Sequence, residues 1–331
     1  MMFLATIISS KIILWVGFNI LILILLAIDL GIFHRKDHVI TVREGLIWSG
    51  IWIVVALAFN FVVYLWKGHD TGLQFLTGYL IERALSIDNI FVFLLVFSYF
   101  RVPEKYQYRV LFWGILGALI MRGLFIAVGA ILIAKFHWIL YVFGAFLIIT
   151  AIKLAIGKEK EIQPEKNPLL RLVRRFLPIT ENYEKGHFLV RRKGRTYGTP
   201  LLIVLLVVES TDLVFALDSI PAIFAITLDP FIVYTSNVFA ILGLRALYFA
   251  IAGLMQLFYY LKYALSAILA FVGFKMLFAN IINISSALAL IIIAAIFVMA
   301  IVLSLIFRRG EPANSALDRP AASIDKDPKK N

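Results

Sequence analysis

The chain has 331 residues, 62% of them hydrophobic and 16% charged, with a mean hydropathy of +0.94; one soluble core could not hide that much apolar surface, so it reads as an all-α polytopic membrane protein. The net charge of +12 does not indicate nucleic acid, because the basic residues lie in connections and at the C-terminus and not on a folded face interleaved with aromatics. Cysteine is absent, which removes disulfides, thiolate metal sites and redox-active thiols and leaves oxygen and imidazole donors.

A spanning helix needs about 20 mainly apolar residues. Nine windows of that kind fall at about 11–33, 44–66, 72–100, 110–134, 136–157, 199–227, 231–254, 261–280 and 285–307. The first lacks a basic n-region and a small-residue cleavage site and carries Asp29, so it stands as helix one and not as a signal peptide. The third holds Glu82, Arg83, Ser86, Asp88 and Asn89 within eight residues, and the fourth holds Arg122. Between the fifth and sixth lies the basic connection 158–198, whose segment 169–177 has the pattern of a short amphipathic helix suited to an anionic leaflet, although a solvated loop is the plainer reading. The sixth window contains Glu209, Ser210, Asp212, Asp218 and Ser219, the seventh Arg245 and the eighth Lys275. The tail 308–331 has the composition of a disordered segment. His34, His38, His69, His137 and His187 fall in loops or at segment edges without zinc-site spacing.

Charge sets the expected orientation. One set of alternate connections holds 24 Lys and Arg and the other only Lys11, Lys67 and Lys135, which puts the N-terminus outside and the C-terminus in the cytoplasm. An odd number of spans requires the same separation of the termini.

An internal repeat organises the middle of the chain. Glu82, Asp88 and Asn89 align with Asp212, Asp218 and Ser219, and on the following span Arg122 aligns with Arg245. The two acidic spans cross in opposite directions, so units 72–157 and 199–280 form two inverted three-helix repeats, preceded by two spans in 1–71 and followed by one in 281–307. In such folds the substrate site lies near the midplane where the repeats meet. Pro221 cannot donate an intrahelical bond, which leaves the Leu217 carbonyl beside Asp218 and predicts a helix break there.

Carboxylates in hydrocarbon are costly and mark ion or proton paths. Glu82, Asp88, Glu209, Asp212, Asp218 and Asp29, with Asn89, Ser86, Ser210 and Ser219, form an oxygen-rich set that favours Mg²⁺, Ca²⁺ or Mn²⁺. Asp88 with Asn89 and Asp218 with Ser219 are the expected principal ligands; Arg122, Arg245, Arg83 and Lys275 are the charge-balancing cations. The competing reading makes these charges structural ion pairs that fix helix packing. Gly117, Gly243, Gly253 and Gly273 read as close-packing contacts.

The stretches Asp29-Leu30-Gly31, Glu82 to Asn89, Glu209-Ser210-Thr211-Asp212 through Ala222, Leu244 to Phe249 and Gly273 to Leu277 resemble the TerC/Alx family, within the lysine-exporter-like transporters, over about residues 10 to 307. The resemblance implies export of divalent metal, chiefly manganese, and links to alkaline-pH response and to metal loading of secreted proteins. Cation/proton exchange through the acids is the expected mechanism, with lipid, the divalent cation and protons as partners, no nucleic acid and no resident cofactor. A homo-oligomer is compatible with the sequence. A tellurite or small-solute exporter anchored on Arg122 and Arg245, and a membrane scaffold built on the basic loop, are the alternatives. A membrane enzyme is not expected, since no nucleophile shares a depth with an adjacent base.

Overall fold

The structure, a computed structural model, describes residues 2–33, 41–157, 177–192, 194–252 and 261–306, with 170 and 175. Its helices are α1 (Met2–Phe33), α2 (Val42–Lys67), α3 (His69–Tyr99), α4 (Glu104–Lys135), α5 (Ile139–Ile156), α6 (Pro200–Phe224), α7 (Pro230–Leu242), α8 (Leu244–Ala252), α9 (Leu261–Leu277) and α10 (Ser286–Ile306). Each sequence window coincides with one of them, except that the seventh is shared by α7 and α8. Among the described residues, seven stretches are long and apolar enough to cross a membrane; α3, which carries the first acidic cluster, and α9, of 17 residues, lie with them in the bundle.

Local chemistry sets the helix ends. At α2, Thr41 Oγ1 accepts from Glu44 N while Glu44 Oε2 accepts from Thr41 N at 2.8 Å, a reciprocal capping box. Gly68, at φ +93°, is the single residue between α2 and α3, a conformation that a side chain would strain. Asp229 caps α7 by accepting from Phe231 N at 2.9 Å, and Pro230 follows at a position where its missing N–H is not needed. The break expected at Pro221 does not interrupt α6, which runs through it to Phe224. Proline sits within the last turn, where only one backbone bond is forfeited. The interrupted helix is instead the α7–α8 span, at Gly243.

That span is the centre of the bundle: 89% of it is buried, against 17–39% for the others. Helices α2, α3 and α4 pack around it, and α2 comes so close that a Cβ on Gly45 would stand 2.7 Å from the backbone nitrogen of Ala250. Most of the outer surface of α1, α2, α5 and α10 is apolar and exposed, as lipid contact requires.

The repeats meet in reciprocal pairs. Helices α5 and α9 cross with Gly144 against Leu277 and Gly273 against Ile148, and the carbonyl of each glycine lies where the other's Cβ would be, at 3.1 and 2.8 Å. These are the paired contacts of a two-fold arrangement, in which i meets j and the mate of j meets the mate of i.

Outside the spans, strands β1 (Leu189–Arg192) and β2 (Arg195–Gly198) form an antiparallel hairpin turning at Gly194. Part of the connection read as a solvated loop is therefore folded. Alternation of Val190 and Tyr197, which face each other, with charged neighbours carries the strand signal. The Tyr183 hydroxyl donates to the Phe100 carbonyl at 2.6 Å and Arg109 donates to the Gly186 carbonyl at 3.2 Å, tying this segment under the α3–α4 turn. Six of the nine residues of the candidate amphipathic stretch 169–177, the whole tail 308–331, and Gly253 lie outside the described residues.

Candidate buried charge centre

Helical periodicity brings the polar groups to one place. Glu82, Ser86 and Asn89 stand at i, i+4 and i+7 on α3, so they share one face, and all three are buried. Asp212 and Ser219, seven apart on α6, do the same from the opposite side. Arg122 from α4 and Asn237 from α7 close the ring.

Arg122 is 2% exposed and is the hub. Its Nε donates to Asp212 Oδ2 at 3.1 Å and its Nη2 to Asp212 Oδ1 at 2.9 Å, a two-pronged bridge of the kind a planar guanidinium makes. Its Nη1 donates to Glu82 Oε1, with longer bonds to Ser219 Oγ at 3.3 Å and Asn237 Oδ1 at 3.4 Å. Asn237 Nδ2 in turn donates to Glu82 Oε2 at 3.0 Å, and Asn89 Nδ2 donates to Asp212 Oδ1 at 3.4 Å.

Sequence equivalence and geometry agree here. Glu82 is the repeat mate of Asp212, and Asn89 of Ser219. Glu82 hydrogen-bonds Ser219, and Asp212 hydrogen-bonds Asn89, so each repeat's acid meets the small polar residue of the other. The two-fold relation runs through the ring, and one guanidinium spans both acids. Two buried acids share this one arginine, and Asn89 Oδ1 is buried without a hydrogen-bond partner. In low dielectric such an arrangement is stable only because every charge has a close opposite.

The other expected residues are distributed around this ring. Glu209 lies one turn before Asp212 on α6, pressed against Gly117 of α4 where any side chain would displace it, and its Oε2 is buried and unpartnered. Asp218, six residues beyond Asp212, faces away: its carboxyl bonds Thr150 and lies near Lys153 of α5. Asp88 is half-buried on α3, off the Glu82–Asn89 face. The structure thus gathers Glu82, Asn89, Asp212, Ser219 and Arg122 into one centre and leaves Asp88 and Asp218 outside it.

Asp29 and Arg245 form a second centre. Arg245 Nη2 donates to Asp29, Nη1 donates to the Tyr108 hydroxyl at 2.8 Å, and the guanidinium stacks 4.7 Å from the Tyr108 ring. Asp29 Oδ1 is buried without a partner. A small cavity, large enough for about one water, separates the centres and is lined by Glu209, Asp212 and Arg245 among apolar side chains.

The remaining cations serve helix ends. Arg83 donates to Ser49 Oγ at 2.7 Å and to the Ala240 carbonyl at 3.2 Å, with its guanidinium against Gly243, so it neutralises the C-terminal end of α7 at the break. Lys275 donates to the Ala225 carbonyl at 3.0 Å and does the same for α6. Asn237 and Tyr108 were not singled out in the sequence; the only signal for Asn237 is the polar run Thr235-Ser236-Asn237 inside an apolar span. Among the described residues, no three Asp, Glu or His side chains converge to hold one metal ion. The guanidinium of Arg122 occupies the space between Glu82 and Asp212.

Comparison with known proteins gives consistent results. A family model described as the integral membrane protein TerC family matches residues 67–311. An uncharacterized membrane protein of Myxococcus xanthus is 52% identical over 304 residues, covering 92% of this chain and 95% of that protein. The protein of Escherichia coli K12 named "Putative membrane-bound redox modulator Alx" is 46% identical over 300 residues, 88% of this chain and 94% of its own length. A membrane protein of Rickettsia felis is 44% identical over 292 residues, 88% and 97% of the two chains. No solved structure matches.

Proposed function

The chain belongs to the TerC family of integral membrane proteins, and from that premise we propose that it exports a divalent metal cation, manganese foremost, from the bacterial cytoplasm in exchange for protons. The observation that carries the reading is the pair of repeat-related carboxylates, Glu82 and Asp212, bridged by the guanidinium of Arg122. The hydrogen bonds of this guanidinium go to two carboxylates, the Ser219 hydroxyl and the Asn237 amide oxygen. Such a set suits a hard divalent ion.

Arg122 acts in this reading as a tethered stand-in for the cargo. When it withdraws, two carboxylates face a vacancy that a divalent ion neutralises, and the unpartnered Asn89 Oδ1 adds a donor. Protonation of the acids, or return of the guanidinium, expels the ion. An oxyanion carrier would require an arginine without a carboxylate or helix-end partner, whereas Arg122 and Arg245 are held by acids and Arg83 by the end of α7. A thiol-based redox role has no residue to carry it, since the chain has no cysteine.

Proteoliposomes loaded with a manganese-sensitive and a pH-sensitive dye test the proposal. Mn²⁺ flux with counter-movement of protons is expected from the parent chain. Glu82→Gln and Asp212→Asn should lower it at least about 100-fold, as for loss of an essential charged ligand, while Asp218→Asn retains most of it. Parental flux in the first two variants, or none in the parent, would overturn the reading.

A further inference from the structure

The two repeats are related by sequence and by reciprocal contacts, yet their arginines are not in equivalent places. Arg122 sits between the acids of both repeats. Its mate Arg245 is turned away onto Asp29 and Tyr108. The groups at the centre, Glu82 with Ser219 and Asp212 with Asn89, are matched pairwise. The main departure from two-fold symmetry in the centre is therefore which arginine occupies it.

Inverted-repeat carriers alternate by exchanging the conformations of their two halves about a fixed site. Applied to this chain, that rule requires a state in which Arg245 takes the acids and Arg122 is the displaced one. The geometry points to such an exchange, with Asp29 as the residue that holds Arg245 off the acids in the state described here. The inference rests on the cation-export reading and adds to it a positioning role for Asp29, which is no longer a ligand of the cargo.

Three observations support it. Arg245, Asp212 and Glu209 line the same small cavity, so the acids that Arg245 would move to are its neighbours across a gap of about one water. Asp29 stands on α1, outside both repeats, and so breaks their symmetry without belonging to either. Its Oδ1 has no hydrogen bond although it is buried, so Asp29 holds Arg245 with one oxygen only, against the two-pronged bridge of Arg122 to Asp212. A one-oxygen contact to the acid, beside the neutral Tyr108 hydroxyl, lacks the two-pronged fit of Arg122 on Asp212 and is the one suited to exchange.

If Asp29 is a mooring, Asp29→Asn lets Arg245 settle on Asp212 and Glu209 as a tethered competitor of the cargo. A binding-competent fraction of about one tenth raises the apparent KM about tenfold. Saturating cation overcomes it, so the maximal rate stays within about twofold. In proteoliposomes with Mn²⁺ as the probe, Asp29→Asn should show that rise in KM, and Asp29→Asn with Arg245→Gln, which removes the competitor, should bind Mn²⁺ in micelles within about threefold of the parent while its flux falls for want of Arg245. An unchanged KM in Asp29→Asn overturns the inference. So does loss of flux at every Mn²⁺ concentration in Asp29→Asn with Mn²⁺ binding that the second substitution fails to restore, the result for a cargo ligand or a purely structural pair.

A measurement without transport separates this inference from the export reading. Unfolding in mixed micelles gives a double-mutant cycle between Arg245→Gln and Asp212→Asn. The two should be additive within about twofold in the parent, where they have different partners, and non-additive by fivefold or more in the Asp29→Asn background, where they meet. Additivity in both backgrounds refutes the exchange even if Mn²⁺ is transported. Coupling that appears only with Asp29→Asn supports it even if the parent carries no Mn²⁺.

Discussion

Replacing Arg122 by Gln removes the single positive charge from a ring holding two buried carboxylates. Five hydrogen bonds depend on that guanidinium, three of them to Glu82 and Asp212. Removing one partner from a buried ion pair destabilises by about 3–5 kcal/mol, because the charge left behind is neither hydrated nor paired. That corresponds to roughly two to three and a half orders of magnitude in the unfolding equilibrium. Unfolding in mixed micelles at pH 8 without divalent ions should show this loss. Mn²⁺ at about 100 times its Kd should restore about 2.7 kcal/mol through binding to the folded state alone. Combining Arg122→Gln with Glu82→Gln and Asp212→Asn, which discharges the ring, should be less destabilising than Arg122→Gln by itself. If the combined variant is the less stable of the two and Mn²⁺ stabilises neither, the ring is not a charge-balanced cation site and the reasoning fails.

Two further outcomes follow from the packing. Gly243→Ala places a Cβ 2.6 Å from Arg83 Nη1, so Arg83 must leave the end of α7 at a loss of about 1–3 kcal/mol, read by thermal denaturation in detergent, while Gly50→Ala, with open space around it, should be near neutral. Burial pushes the Tyr183 hydroxyl up to about 12, so its neutral form is the one the fold favours; this contribution is complete below pH 10, declines as pH rises towards 12, and should be missing from Tyr183→Phe in a pH series of unfolding midpoints.

The spans were legible because hydropathy is summed over about 20 residues, and one misplaced residue hardly changes the sum. The α7–α8 interruption was not, because it depends on Arg83 arriving from α3 to occupy the space at Gly243, a contact between residues far apart in the chain. Proline drew attention to α6 instead, where its position in the last turn makes it harmless. The ring was half legible. The repeat identified Glu82, Asp212, Asn89, Ser219 and Arg122, and the 100° step of the helix already placed Asp218 away from Asp212, yet the two were expected to meet through a kink. Pairing of Arg245 with Asp29 joins α8 to α1, and nothing local in either segment announces it. The hairpin was hidden by its charge: Arg191, Arg192 and Arg195 outweighed Val190 and Tyr197, the residues that define the strands.

Gly144 and Gly273 meet backbone to backbone, with Leu277 and Ile148 packed over them. Because one belongs to each half of the molecule and each is the other's counterpart, neither half can slide there without driving backbone into backbone, and the side chains seated on the contact, Leu277 and Ile148, are apolar and can turn against it. A smooth bearing of this kind lets two bodies tilt while their separation stays constant. One added methyl on either glycine would stand 2.8–3.1 Å from the other's carbonyl oxygen and push the two halves apart at that point.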